Sequence, residues 1–308
     1  MIHSQARVSS RFMGLRRSSI RTATACVTFA LLLAACGASG PASGTAGPST
    51  TAAQGESPTL NSSNLWILAR NVVQTLLSNP ESANSLKGLQ IVEILKNGQE
   101  PTPGLDIIPA VKFASGADLI RAVNSNSLSP WIRTVIYDPE SWTFTPTSEQ
   151  SDPVAAAKAV FEATSAKGLK LVITPALDLA KILKPNSGPL WSAFLQTGII
   201  GPLAKYADVL EIQSQAVQSN SVSWLALLSA ASLEAHRSNP KVVVLGGLST
   251  NPRGNPISAS ILQSAARLAS KYVSGFWFNM PGQGPSCPTC PPVNPELAIE
   301  FFRTLGSA

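Results

Sequence analysis

From residue 62 onward the chain alternates short apolar runs with stretches of helical periodicity, and that alternation restricts its fold more than any other feature. The clearest apolar runs are Thr134-Val135-Ile136-Tyr137, Leu169 to Thr174, Asp208 to Ile212, Val242 to Leu245, and Phe276-Trp277-Phe278. With the weaker runs Ile91 to Leu95 and Ala110 to Phe113 they make seven strand candidates. Apolar spacing near 3.6 predicts helices over 152–167, 188–206, 222–237, 257–272 and 295–305. The series Leu65, Trp66, Leu68, Val72, Val73, Leu76, Leu77 predicts a first helix before them. Ser151-Asp152-Pro153 and Asn294-Pro295-Glu296 place a cap residue and a proline where a helix begins. Strands alternating with helices of this length pair in parallel through right-handed crossovers. A (β/α)8 barrel needs about 250 residues, so the expected fold is α/β, a (β/α)8-like TIM barrel, complete or degenerate, over 62–308. An open doubly wound sheet competes. No Gly-x-Gly-x-x-Gly follows a strand and no Gly-x-x-x-x-Gly-Lys-Ser/Thr occurs, so its nucleotide-binding versions lack their signatures.

The first 61 residues have a different chemistry. Five of the 23 Lys and Arg residues (Arg7, Arg11, Arg16, Arg17, Arg21) lie there before position 36, and all 17 acids lie at Glu56 or later. An apolar stretch from Ala25 through Leu33 follows the basic segment; it is too short to span a bilayer and has the flanks of a signal peptide. Residues 1–35 are therefore expected to be an export signal. Arg16-Arg17 fits a twin-arginine route and the rest fits the general secretory route; both stay open. Residues 36–61 are mostly Gly, Ala, Ser, Thr and Pro and cannot bury enough apolar area to offset ordering entropy, which reads as a flexible, disordered tether. Without residues 1–35 the formal charge falls from +6 to +1. A body so nearly neutral lacks the dense basic face a nucleic-acid binder needs, and no nucleic-acid partner is expected.

The cysteines divide by position. Cys26 belongs to the signal, and Leu33-Ala34-Ala35-Cys36-Gly37 is similar to the lipobox of bacterial lipoproteins. That resemblance implies cleavage before Cys36, a lipid on its sulfur, and an extracytoplasmic protein whose partner is the cell membrane. Cys287 and Cys290 form a C-x-x-C in a proline-rich loop; outside the cytoplasm such a pair points to a disulfide, with thiol exchange as the alternative. The body's one histidine, His236, ends a predicted helix next to Arg237, so neither a metal site nor a cofactor site is expected.

Polar residues gather where the predicted strands end, the place where barrel enzymes build their sites. On the Asp208–Gln215 run a period of two puts Leu210 and Ile212 on one face and Glu211, Gln213 and Gln215 on the other, towards a barrel interior. This polar series belongs either to a ligand site or to a structural network. Glu211 is the candidate for a raised pKa, since its position predicts desolvation. Asp138 and Glu140 follow the Thr134–Tyr137 run and offer partner carboxyls for acid–base work. With Glu211 they are the candidate catalytic residues. Gln213, Gln215, Ser249, Asn251 and Asn279 are candidates to orient hydroxyls, and Trp142 to supply, with Phe144 and Trp277, an apolar platform for a sugar ring.

The stretches Tyr137-Asp138-Pro139-Glu140-Ser141-Trp142, Ile173-Thr174-Pro175-Ala176-Leu177, Glu211-Ile212-Gln213-Ser214-Gln215, Gly247 to Pro252, and Asn279-Met280-Pro281 resemble a group of secreted bacterial lipoproteins with a glycosidase-like TIM barrel. The resemblance covers about residues 130–305. It implies a carbohydrate ligand and glycoside hydrolysis as the first activity to test. The group has no assigned activity, so it implies no catalytic residue. The Asp-x-x-Asp-x-Asp-x-Glu run of chitinase-type barrels is missing, which argues against that mechanism. A noncatalytic binding or envelope lipoprotein on a degenerate barrel is the rival reading.

Overall fold

The computed structural model describes residues 65–252, 257–284 and 290–305. Eight parallel strands close into a barrel in sequence order: β1 (Leu65–Ala69), β2 (Gln90–Leu95), β3 (Asp106–Phe113), β4 (Thr134–Tyr137), β5 (Lys170–Ile173), β6 (Val209–Ile212), β7 (Val243–Ser249) and β8 (Gly275–Asn279). The seven expected strands are present, and the eighth is the segment expected to open a first helix. Leu65–Ala69 is a strand, and the helix begins only at Arg70 and runs to Leu77. The apolar residues of this stretch satisfy both periods. Trp66 and Leu68 pack outward against helices, while Ile67 points to the barrel axis. The expected helix over 188–206 is broken into Leu190–Gln196 and Ile200–Ala204, with Gly198 between them at φ 68°. Further helices, Pro80–Leu86, Gly116–Asn124 and Thr147–Ser151, escaped the sequence reading. Between β2 and β3, residues 96–105 contain no helix, so one βα unit lacks its cover although the ring is closed.

Period-two alternation divides the apolar residues into two cores. The larger fills the space between barrel and helices. The smaller is the barrel interior and takes one residue from every strand in turn: Ile67, Val92, Ala110, Ile136, Val172, Val209, Leu245 and Trp277. Two residues further along each strand stand Ala69, Ile94, Lys112, Asp138, Thr174, Glu211, Gly247 and Asn279. Thus the interior is apolar through its middle and turns polar at the C-terminal rim, from β3 round to β8. That step is what places the site.

Closure depends on a close approach. A Cβ on Gly275 of β8 would lie 1.9 Å from the carbonyl oxygen of Leu65 on β1. Glu149, a buried acid near the rim, is accounted for by folding. It accepts from the N–H groups of Gly116 at 2.7 Å and Ala117 at 3.0 Å, at the start of the 116–124 helix, and from the Tyr137 hydroxyl at 2.9 Å.

Candidate functional site

The rim is organised around Asp138, the first residue beyond β4 and 1% exposed. Its Oδ1 accepts from Thr174 Oγ1 at 2.6 Å and from Gln213 Nε2 at 2.7 Å, and its Oδ2 pairs with Lys112 Nζ at 2.5 Å. A carboxylate buried this deeply needs a counter-charge and donors, and neighbouring strands β3, β5 and β6 each supply one. Gln213 also donates to the Thr174 carbonyl at 2.8 Å. Lys112 Nζ sits 5.9 Å from the Trp142 ring and 5.7 Å from the Trp277 ring.

Above this network lies a cavity of about 380 Å³. Among the described residues its carboxyl groups are Glu140 and Asp178, and its one lysine is Lys181. Gln213, Gln215, Asn251 and Asn279 bring carboxamides to its wall, and Ser249 a hydroxyl. Short 3-10 turns set several of these. Leu177–Leu179 after β5 carries Asp178, which accepts from the Ser141 N–H at 2.9 Å and lies 3.8 Å from Lys181. Ser214–Val217 after β6 carries Gln215. This turn is pinned by the Ser214 hydroxyl, which donates to the Gly247 carbonyl at 3.1 Å and accepts from the Trp224 indole N–H at 2.9 Å.

The expected residues therefore have three placements. Glu140, Gln213, Gln215, Ser249, Asn251 and Asn279 come together on one cavity, as the strand-end pattern predicts. Gln215 reaches it by a different path, because β6 ends at Ile212 and strand alternation does not extend to position 215. Asp138 and Glu211 lie beneath the cavity, not on its wall. Glu211 is 0% exposed and both of its carboxyl oxygens lack a hydrogen-bond partner. Trp142 is half-buried and does not line the cavity; its indole N–H donates to Thr145 Oγ1 at 2.9 Å and its ring lies edge-on to the exposed Phe144, with centroids 5.0 Å apart. Lys112, Asp178 and Lys181 were not singled out from the sequence. A charge at Lys112, two residues after Ala110 on an apolar strand, was the available signal for the first. Cys290 is buried on the cavity wall, and the other half of the expected pair, Cys287, lies outside the described residues, as do Cys36 and all of 1–64. His236 is in the last turn of the Ser221–Ser238 helix, its Nδ1 3.2 Å from Ser232 Oγ.

The carboxyls raise one another. Burial foremost, then the charges of Asp138 and Asp178, pushes Glu140 up to about 7 against the opposing effects of Lys112 and the Gln213 amide. Burial first, then the charges of Asp138 and Glu140, holds Glu211 well above the usual carboxyl range and favours its protonated form. Glu140 is thus an accessible carboxyl able to give or take a proton near neutrality. Among the described residues no group of three or more His, Cys, Asp or Glu is placed to hold a metal ion. No described helix is long and apolar enough to cross a membrane.

No protein-family model matches this chain, and no curated protein matches it. Solved structures similar in fold include a chitinase from Chromobacterium violaceum, with TM-score 0.47 and 13% identity over 80% of this chain and 99% of that one. They also include the spore cortex-lytic enzyme SleL of Bacillus megaterium, with TM-score 0.44 and 8% identity over 79% and 73%. A triosephosphate isomerase from Bartonella henselae has TM-score 0.41 and 12% identity over 80% and 99%. Proteins so different in chemistry share the barrel alone, and nothing about this site follows from them.

Proposed function

We propose that the rim cavity binds a carbohydrate and hydrolyses a glycosidic bond, with Glu140 as the proton-transferring residue and Asp178 as the second carboxyl at the cavity. The observation that carries this reading is the cavity's composition: among the described residues it has two carboxyls, four carboxamides and a hydroxyl, with one lysine. Carboxamides both donate and accept, which suits the many hydroxyls of a neutral sugar better than a phosphate or a carboxylate. Within this reading Glu211 and Asp138 act from below. Asp138 fixes Gln213, and Glu211 is a buried carboxyl under the floor, its pKa raised by burial and by the charges of Asp138 and Glu140. The residues Gln215, Ser249, Asn251 and Asn279 orient hydroxyls, and Trp142 with Phe144 provides apolar area.

The noncatalytic alternative has an observation in its favour. Two of the three carboxyls expected to do chemistry, Asp138 and Glu211, are sealed from the cavity at 1% and 0% exposure. A screen of defined oligosaccharides for both binding and reducing-end release separates the two. Release by the wild type that is lost in Glu140→Gln, with binding retained, supports hydrolysis. Binding without release supports the alternative, and neither binding nor release overturns the carbohydrate reading.

The same proposal includes an extracytoplasmic protein held to the membrane by a lipid on Cys36, after a signal over 1–35 and a tether over 36–61. Its support is the lipobox-like Leu33-Ala34-Ala35-Cys36-Gly37 and the charge asymmetry of the first 61 residues. It also includes a Cys287–Cys290 link stiffening the loop beside the cavity, supported by the spacing and by the burial of Cys290.

A further inference from the structure

Several buried polar side chains around the rim are paired. Asp138 has Lys112, Thr174 and Gln213; Ser214 has Gly247 and Trp224; Gln218 is bonded to the backbone of Ser249 in both directions. Asn251 departs from this. It is 7% exposed and lines the cavity, and its Oδ1 and Nδ2, both sealed from solvent themselves, have no partner. The other unpaired buried side chains among the described residues, such as Glu211, Thr250 and Trp277, do not line the cavity.

The backbone that carries Asn251 is, by contrast, firmly held. The Asn251 N–H donates to Ser249 Oγ at 3.0 Å, the Ser249 N–H donates to Gln218 Oε1 at 2.7 Å, and the Thr250 N–H donates to the Asn279 carbonyl at 3.0 Å. An oriented carboxamide with both functions uncommitted lowers the stability of the free protein, and folding alone gives no reason for it. The same two functions become an asset when a ligand supplies a donor and an acceptor side by side.

We propose that Asn251 is the specificity-determining residue of the cavity: its carboxamide, with no bond to give up, turns outward to take up two adjacent hydroxyls of one sugar ring, a vicinal diol, with one hydroxyl donating to Oδ1 and its neighbour accepting from Nδ2–H. This deepens the carbohydrate reading and rests on it. A carboxamide carries its donor and acceptor on one carbon, and adjacent ring hydroxyls present the complementary pair.

The test uses the purified full chain and its Asn251→Leu variant, which keeps the side-chain shape and removes both polar functions. Melting temperature is measured first without sugar. Calorimetry then follows titration with hexasaccharides of glucose, mannose, galactose and N-acetylglucosamine, and with monodeoxy methyl glycosides of the sugar that binds. The expected result is a variant melting no lower than wild type, with sugar affinity reduced at least tenfold. Two adjacent deoxy positions should each weaken wild-type binding and leave the variant's residual binding unchanged. A lower melting temperature for the variant would show that Asn251 has a structural partner and would overturn the inference whatever the sugars do. Wild-type binding that the variant keeps in full would overturn it while leaving the carbohydrate reading intact. If the wild type binds none of the sugars, that reading fails and the inference falls with it.

Discussion

Gln213 Nε2 lies 2.7 Å from Asp138 Oδ1 across 75 residues of sequence, joining the ends of β4 and β6 over the top of β5. Its Nε2 also donates to the Thr174 carbonyl at 2.8 Å, so one amide ties Asp138 to the end of β5. Asp138 tolerates 1% exposure because this bond is one of three.

The three bonds to Asp138 are unequal, and their removal should show it. Gln213→Ala withdraws a neutral donor and leaves Lys112 and Thr174 in place, for an expected loss of about 1–3 kcal/mol. Lys112→Ala strips the counter-charge from a buried carboxylate, and about 3–5 kcal/mol is expected. Urea denaturation of both variants at pH 7 checks the order. Equal losses would mean that Lys112 does not act as the counter-charge.

Stability should fall as pH rises across the range in which Glu140 loses its proton. Its folded pKa, about 7, stands above the ordinary 4.5, so the folded state holds this proton more tightly than the unfolded chain does. The contribution is complete below pH 4.5 and is lost as pH passes through 7, amounting to roughly 3 kcal/mol. Glu211, raised in the same direction, extends the decline to higher pH. Denaturation at pH 5, 6, 7 and 8 should give a falling series in the wild type and a flatter one in Glu140→Gln. A series that rises with pH would contradict the raised Glu140.

Glu211→Gln should be tolerated, and more so at high pH. The carboxyl has no hydrogen-bond partner to lose, and burial with the charges of Asp138 and Glu140 favours its protonated form, so an amide of the same shape replaces it without removing an ion pair. Melting temperatures are expected to match within a few degrees at pH 6, with the variant the more stable at pH 9, where the wild type must bury a charge. A large loss at pH 6 would reveal a partner for the carboxyl.

The ring of strands was legible because each βα unit carries its own period, and seven strands could be found one at a time. β1 was hidden because its alternation runs directly into the helix at Arg70, and the combined apolar series Leu65 to Leu77 fits a helical period as well. Among site residues, the strand-end rule found those whose position follows from the chain itself, such as Asp138, Glu140 and Asn279. It could not distinguish the floor from the wall. Whether Glu211 or Glu140 faces the cavity depends on strand stagger and on the 3-10 turns after β5 and β6, and these are fixed by long-range bonds such as Ser214 to Gly247. Lys112 was passed over for a related reason: its partner lies 26 residues away, beyond any local pattern.

Cys36→Ser tests the anchor separately from the barrel. Metabolic labelling with a radioactive fatty acid should mark the wild type and leave the variant unmarked, with the variant recovered in the soluble fraction or as an unprocessed precursor. Retention of a processed variant in the membrane fraction would exclude a lipid on Cys36.

Two inward glycines should respond to the same added methyl in opposite ways. At Gly275 a Cβ would lie 1.9 Å from the Leu65 carbonyl oxygen and 2.9 Å from the Leu65 nitrogen, both backbone atoms at the β1–β8 seam. No rotamer relieves that, so Gly275→Ala must pry the seam apart, with an expected loss of about 3 kcal/mol or more. At Gly247 a Cβ would lie 2.3 Å from Gln215 Cδ, but the obstacle is the far end of a flexible side chain. Gln215 can turn away at a cost of about 1 kcal/mol. Because Gln215 lines the cavity, the consequence there is altered ligand binding in a protein that remains folded. Paired measurements of melting temperature and sugar affinity for Gly275→Ala and Gly247→Ala decide the matter. If Gly247→Ala is the more damaging to stability, the packing of Gln215 over β7 is structural and its carboxamide is not free to serve the cavity.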